Sequence, residues 1–173
     1  LIASFRNLDA VYKIDRATGD IMWKLGGVPR AESLTVQNDS VLGPVLSSQH
    51  DARMLDDGTV TIYDNATGLG RPPRAVRFEI DTTTSPGTAT LLEQQGNWRI
   101  GASGCCGSSR KLPGGNWVIG WGGTDTITES TEDGAPVLRI QFFPTAVVYR
   151  AIPVLPGVLD RSELRAAMDA RFG

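Results

Sequence analysis

Three segments of this chain repeat one pattern, and the pattern restricts the fold more than any other feature. Each has an extended run followed by a hairpin: residues 1–5, 10–15 and 20–25; then 59–63, 75–81 and 88–93; then 116–121, 125–130 and 137–142. β-branched and aromatic residues dominate these runs, as in Thr59-Val60-Thr61-Ile62-Tyr63, and suit half-buried strands. Acidic or Thr residues with Gly mark the hairpin tips, where Gly19, Gly87 and Gly134 would supply positive φ. The second and third segments also share a leading strand and turn. Ala52-Arg53-Met54-Leu55-Asp56-Asp57-Gly58 matches Ser109-Arg110-Lys111-Leu112-Pro113-Gly114-Gly115. A four-stranded unit recurring about every 60 residues points to an all-β chain of antiparallel blades, a partial β-propeller of about three blades. Such units close around an axis only in sets of roughly four to eight. The chain therefore reads as part of a longer one, the more so because Leu1 opens inside a strand, with an oligomer or a non-propeller stack of sheets as the alternatives.

Composition narrows the function classes. A net charge of −2 argues against nucleic acid or an anionic membrane surface as partner. No run approaches the 18 or so apolar residues of a membrane-spanning helix. The 20 glycines and 10 prolines fit many short strands. Cys105 and Cys106 are adjacent, with no further Cys or His nearby to complete a metal site. Neighbours do not close an ordinary loop disulfide, so they read as small buried residues or free thiols at the start of the third inner strand, a strained vicinal disulfide being the alternative.

Residues 1–152 form the repeat region and 153–173 a Pro-containing linker and helix. Residues 146–150 read as a last strand. In the helix, Asp160 is the N-cap, Glu163 sits at N3, and Leu164, Met168 and Phe172 share a face expected to pack on a sheet. Inner strands are expected to begin near His50 and Ser108.

His50 is the sole histidine, and Ser47-Ser48-Gln49-His50-Asp51-Ala52-Arg53 leads into the second repeat. Imidazole beside cations can carry nucleophilic or acid–base chemistry; equally, a lone histidine can simply bond neighbouring backbone. Strand alternation puts His50 and Ala52 on one face, with Asp51 and Arg53 on the other. Asp51 is then no automatic partner of the imidazole, and Arg53 reads as paired with Asp51 or Asp64.

Several of these motifs together resemble the bacterial arylsulfotransferase (aryl sulfate sulfotransferase) family. They are Phe5-Arg6-Asn7, Val11-Tyr12-Lys13-Ile14-Asp15-Arg16-Ala17-Thr18-Gly19, Trp23-Lys24-Leu25-Gly26-Gly27, Gln49-His50-Asp51-Ala52-Arg53, Tyr63-Asp64-Asn65, Arg74-Ala75-Val76-Arg77, residues 112–122 and Tyr149-Arg150-Ala151. The resemblance implies the C-terminal half of a six-bladed propeller. It also implies nucleotide-independent transfer of a sulfuryl group from a phenolic sulfate to an acceptor phenol through a sulfated histidine, with no cofactor or metal. By position His50 inherits the nucleophile role, and Arg6, Asn7, Arg53 and Arg74 are candidate substrate ligands, since guanidinium forks suit sulfate oxygens. Asn7 stands where many relatives carry a second histidine. An extracytoplasmic or periplasmic setting for the full-length parent follows from the same resemblance. The rival reading is a non-catalytic propeller that binds a ligand or protein; a quinoprotein-type dehydrogenase would need calcium and quinone ligands for which no clear set is seen.

Overall fold

The computed structural model describes residues 1–97, 99–143 and 145–172. Within them, strands follow one another into three sheets in chain order. The first holds β1 (Ile2–Phe5), β2 (Ala10–Ile14) and β3 (Ile21–Gly26), all antiparallel, with a single 3₁₀ turn at Arg6–Leu8. The second contains β4 (Thr35–Gln37), β5 (His50–Met54), β6 (Val60–Asp64), β7 (Arg74–Asp81) and β8 (Thr88–Gly96), in the order β4-β8-β7-β6-β5. The third contains β9 (Ser108–Lys111), β10 (Trp117–Gly120), β11 (Thr126–Ser130) and β12 (Pro136–Gln141). One helix, α1 (Arg161–Phe172), follows; no helix of the described residues is long and apolar enough to cross a membrane. The architecture is all-β with a C-terminal helix, and β5 and β9 begin where the repeat places the inner strands.

The repeat is visible in the backbone bonds. The turn after β5 has Leu55 N–H on Thr59 O and Gly58 N–H on Leu55 O, and the turn after β9 has the same two bonds at Leu112–Asn116 and Gly115–Leu112. Gly58 (φ +82°) and Gly115 (φ +89°) take the left-handed conformation that closes each turn without a Cβ penalty.

Alternation along β6 explains the packing. Val60 and Ile62 face the first sheet, in a cluster with Val11, Trp23, Leu25, Val76 and Phe78. Tyr63 faces the third sheet, with Ala75, Trp117, Ile119 and Trp121. The second sheet is thus covered on both sides, which is why β6 is buried at every residue. Strand β12 is exposed throughout.

Four expectations are corrected. The second sheet gains a fifth strand, because Thr35-Val36-Gln37 runs parallel to β8. Gly87 has no positive φ; it is small because a Cβ there would lie 2.6 Å from Asp81 O and 2.9 Å from Leu34 Cδ2. Residues 146–150 form no ladder strand. Instead Val148 N–H bonds Thr124 O, Gly123 N–H bonds Val148 O and Gly107 N–H bonds Tyr149 O, so the segment crosses loop ends of the third sheet. Helix α1 is capped as expected, Asp160 Oδ1 accepting from Ser162 and Glu163 N–H, but it buries no residue, and Leu164, Met168 and Phe172 are exposed.

Candidate active site

Backbone on both sides fixes the position of His50. Upstream, Ser47 N–H donates to Asp64 Oδ1 (3.0 Å) and Ser48 N–H to Asp9 Oδ1 (2.7 Å). Buried Gln49 sends Nε2 across to Ser4 Oγ, Phe5 O and Ala10 O, stitching the first sheet to the second. Downstream, the β5–β6 register slips between His50 and Arg53, with Asp51 at φ +52°. That bulge re-aims the side chains around it. Asp51 turns to the third sheet, where its carboxylate accepts from Ser109 N–H (3.0 Å) and Arg110 Nη2 (2.9 Å).

The imidazole is half-buried and bonded at both nitrogens. Nδ1 lies 2.7 Å from Asn65 Oδ1. Asn65 Nδ2 donates to Ser103 Oγ (2.9 Å) and Cys106 O (3.1 Å), which orients the amide with its oxygen toward the ring. An amide oxygen only accepts, so the network assigns the proton to Nδ1 and the lone pair to Nε2. Nε2 in turn accepts the Cys106 N–H at 3.3 Å.

The loop of residues 103–107 that supplies this N–H is held closely. Tyr63 Oη donates to Ser103 Oγ (3.0 Å), and Ser103 Oγ donates to Gly122 O (2.6 Å). Burial pushes the Tyr63 phenol up to about 12, which keeps it a neutral donor. Two bare glycines let the chain pass. A Cβ on Gly107 would lie 2.2 Å from the Tyr63 ring, and one on Gly122 would lie 2.2 Å from Cys105 O. Arg6, exposed, places Nη2 on Gly104 O (3.2 Å) and Nη1 on Asn7 Oδ1 (3.1 Å), at the rim of the same loop.

A family model described as Arylsulfotransferase (ASST) matches residues 1–143, which include every strand of the three sheets. The chain belongs to the arylsulfotransferase family. No curated protein sequence matches it. Among solved structures it is similar to the crystal structure, at 1.35 Å resolution, of a protein of unknown function from Bacteroides caccae. Identity is 15% and the TM-score 0.44, over 82% of this chain and 45% of that one. The chain thus spans less than half the length of that relative.

Within this member of the arylsulfotransferase family, the structure gathers some of the candidate ligands and disperses others. Arg6, in the 3₁₀ turn, reaches the loop that caps His50 through Gly104 O, and Asn7 is joined to it only through the Arg6 guanidinium. Arg74 does not: its guanidinium is buried and bound to Asp39 (2.7 and 2.9 Å), Asp64 (3.3 Å), Gln94 and Val45 O, so its donors are committed to the fold. Arg53 is exposed and makes no ion pair among the described residues; Asp51 pairs instead with Arg110, and Asp64 with Arg71 and Arg74. The cysteines sit just before β9 as expected, but Cys105 is exposed and Cys106 only half-buried, because the loop lies over the surface of the sheet end. The orienting Asn65 was not singled out from the sequence. The repeat carries a signal for it: His50 and Asn65 fall at the positions that Gly107 and Gly122 occupy one unit later.

Proposed function

We propose that this chain contributes the nucleophile of a sulfuryl transfer between phenols, with His50 Nε2 as the attacking atom. The observation that supports the reading is the Asn65–His50 contact. It holds the proton on Nδ1 and leaves the lone pair on the nitrogen that faces Cys106 of the loop, to which Arg6 is bonded at Gly104 O. In the first half-reaction Nε2 attacks the sulfur of an aryl sulfate and the S–O bond to the phenolate breaks. The charge left on the imidazole is stabilised by Nδ1–H donating to Asn65. In the second half-reaction the acceptor phenol gives up its proton through water to the departed phenolate, its oxygen attacks the same sulfur, and the N–S bond breaks to restore the neutral ring. Cys106 N–H occupies the Nε2 lone pair in the resting state, so attack requires that it move off. Arg6 is a cation free to follow the sulfuryl oxygens, being exposed and, among the described residues, held by Gly104 O and Asn7 alone. The resemblance adds the setting, one part of a six-bladed propeller whose remaining blades complete the site.

The test is transfer from a phenyl sulfate to a phenol by the full-length protein that carries this chain. His50→Ala should abolish transfer and leave the fold intact. Arg6→Ala should lower the rate by about a hundredfold, as loss of one oxyanion donor does. Asn65→Ala should lower it by about 10–100-fold, as loss of an orienting partner does. Unchanged transfer by His50→Ala would end the assignment. A folded wild type inactive with a range of aryl sulfates would favour the ligand-binding reading.

A further inference from the structure

Beside the imidazole lies a group the proposed transfer does not use, the thiol pair Cys105 and Cys106. Both are free, and their Sγ atoms lie 2.7 Å apart. Cys105 is exposed, so it can meet a reagent from solvent. Cys106 is half-buried, at φ +61°, a left-handed conformation that a residue with a Cβ rarely adopts. Its amide N–H is the group that caps His50 Nε2.

We propose that Cys105 and Cys106 are a vicinal dithiol that a small-molecule disulfide oxidises to a disulfide ring, and that closing the ring withdraws the Cys106 N–H from His50. The coupling is covalent. A disulfide between adjacent residues closes a ring that runs through the Cys105–Cys106 peptide, and the Cys106 amide nitrogen is a member of that ring. Consecutive Cα atoms are about 3.8 Å apart, whereas disulfides span Cα separations of about 4.4 Å or more, so closure must rotate or distort this peptide. The surroundings concentrate the change there. Gly107 is stacked on Tyr63, the Cys105 carbonyl lies on Gly122, and Asn65 holds the Cys106 carbonyl.

The exchange balances without any further reactant. Cys105, deprotonated, attacks one sulfur of the small disulfide and expels its first thiolate. Cys106 then loses its proton and attacks the Cys105 sulfur of the mixed disulfide, expelling the second. Two protein thiols are oxidised and one disulfide is reduced to two thiols. Burial and the neighbouring Cys105 push the Cys106 thiol up to about 11, which suits Cys106 as the resolving rather than the first-attacking group.

In the full-length protein labelled with nitrogen-15 histidine, the His50 ring nitrogens are identified as the resonances that His50→Gln removes, His50 being the one histidine of these 173 residues. On treatment with oxidised glutathione, both thiols should disappear from titration and the mass should fall by two hydrogens. The Nε2 resonance should move toward that of an unbonded ring nitrogen, and dithiothreitol should reverse all three changes. The double variant Cys105→Ser/Cys106→Ser keeps the 106 N–H; its His50 resonances should match the reduced protein and ignore the oxidant. A persistent glutathione adduct, a disulfide-linked dimer, or a His50 spectrum unchanged by ring closure would overturn the proposal. So would an oxidant-dependent shift in the double variant. None of these readouts depends on sulfuryl transfer.

Discussion

The starts of β5 and β9 are the same place in two successive repeats, and they have been put to opposite uses. In the second sheet the facing positions hold His50 and Asn65, bonded side chain to side chain at 2.7 Å. In the third sheet they hold Gly107 and Gly122, with no side chains, and a Cβ on Gly122 would lie 2.4 Å from Gly107 N. The turns that follow carry identical backbone bonds. The bare pair lets the 103–107 loop lie close enough for Cys106 N–H to reach the imidazole of the other. The comparison teaches that a repeat conserves backbone while chemistry is assigned at positions the ladder leaves free.

The largest expected effect lies just beyond the site. Asp64 is fully buried and holds Arg71 at 2.7 Å and Arg74 at 3.3 Å, where the third sheet has the buried Trp121. Asp64→Ala takes the carboxylate from Arg71, leaves Arg74 with the Asp39 carboxylate, and removes the acceptor of the Ser47 and Ala66 N–H groups, and should cost about 3–5 kcal/mol in urea unfolding. A cost below about 1 kcal/mol would show that the two strand ends are held alike after all.

Gly122→Ala tests the bare pair. Its Cβ would meet backbone of residues 105–107, which has no flexible end to yield, so a loss of about 2–3 kcal/mol is expected, with a shifted His50 Nε2 resonance. Gly114→Ala, with nothing within 4 Å and no positive φ, is the matched control and should be near neutral.

A smaller effect is titratable. Burial raises the Asp51 carboxyl above the ordinary carboxylate range, outweighing Arg110 and the Ser109 N–H. The native state therefore holds this proton more tightly than the unfolded chain. Asp51 adds stability that is complete below about pH 4 and is lost as pH rises through its folded-state value. Asp39 and Glu93 act in the opposite sense. Burial raises them too, but the hydrogen bonds from Arg74 and Lys111 prevail and leave them lowered, so their contribution is lost as pH falls. Comparison with Asp51→Asn isolates the one group: wild-type stability relative to the variant should fall as pH rises from about 4. A relative stability that rises with pH would reverse the assignment.

The smallest effect is expected at Arg53, the counterpart of Arg110. It is exposed and without an ion pair among the described residues, so Arg53→Ala should change stability by less than about 0.5 kcal/mol, whereas Arg110→Ala leaves the Asp51 carboxylate short of a donor and should cost about 1–3 kcal/mol. Equal costs would mean that β5 and β9 carry equivalent arginines.

Local chemistry was legible in the residues themselves. Period-two runs became strands, Gly58 and Gly115 became left-handed turn residues, and Asp160 became a helix cap, because each depends on neighbours a few positions away. The leading strands β5 and β9 began at His50 and Ser108 for the same reason. Contacts at long separation were decided only by the tertiary structure. Asn65 reaches His50 across 15 positions, Cys106 across 56, and Arg6 reaches Gly104 across 98. Alternation placed Asp51 away from His50, but the bulge that turns its carboxylate to Ser109 and Arg110 leaves no mark in composition or period. Which arginine is spent on the fold and which stays exposed follows from where the buried carboxylates Asp39 and Asp64 arrive when the sheets pack. The desolvation that commits Arg74 to them exists only once the sheets have packed.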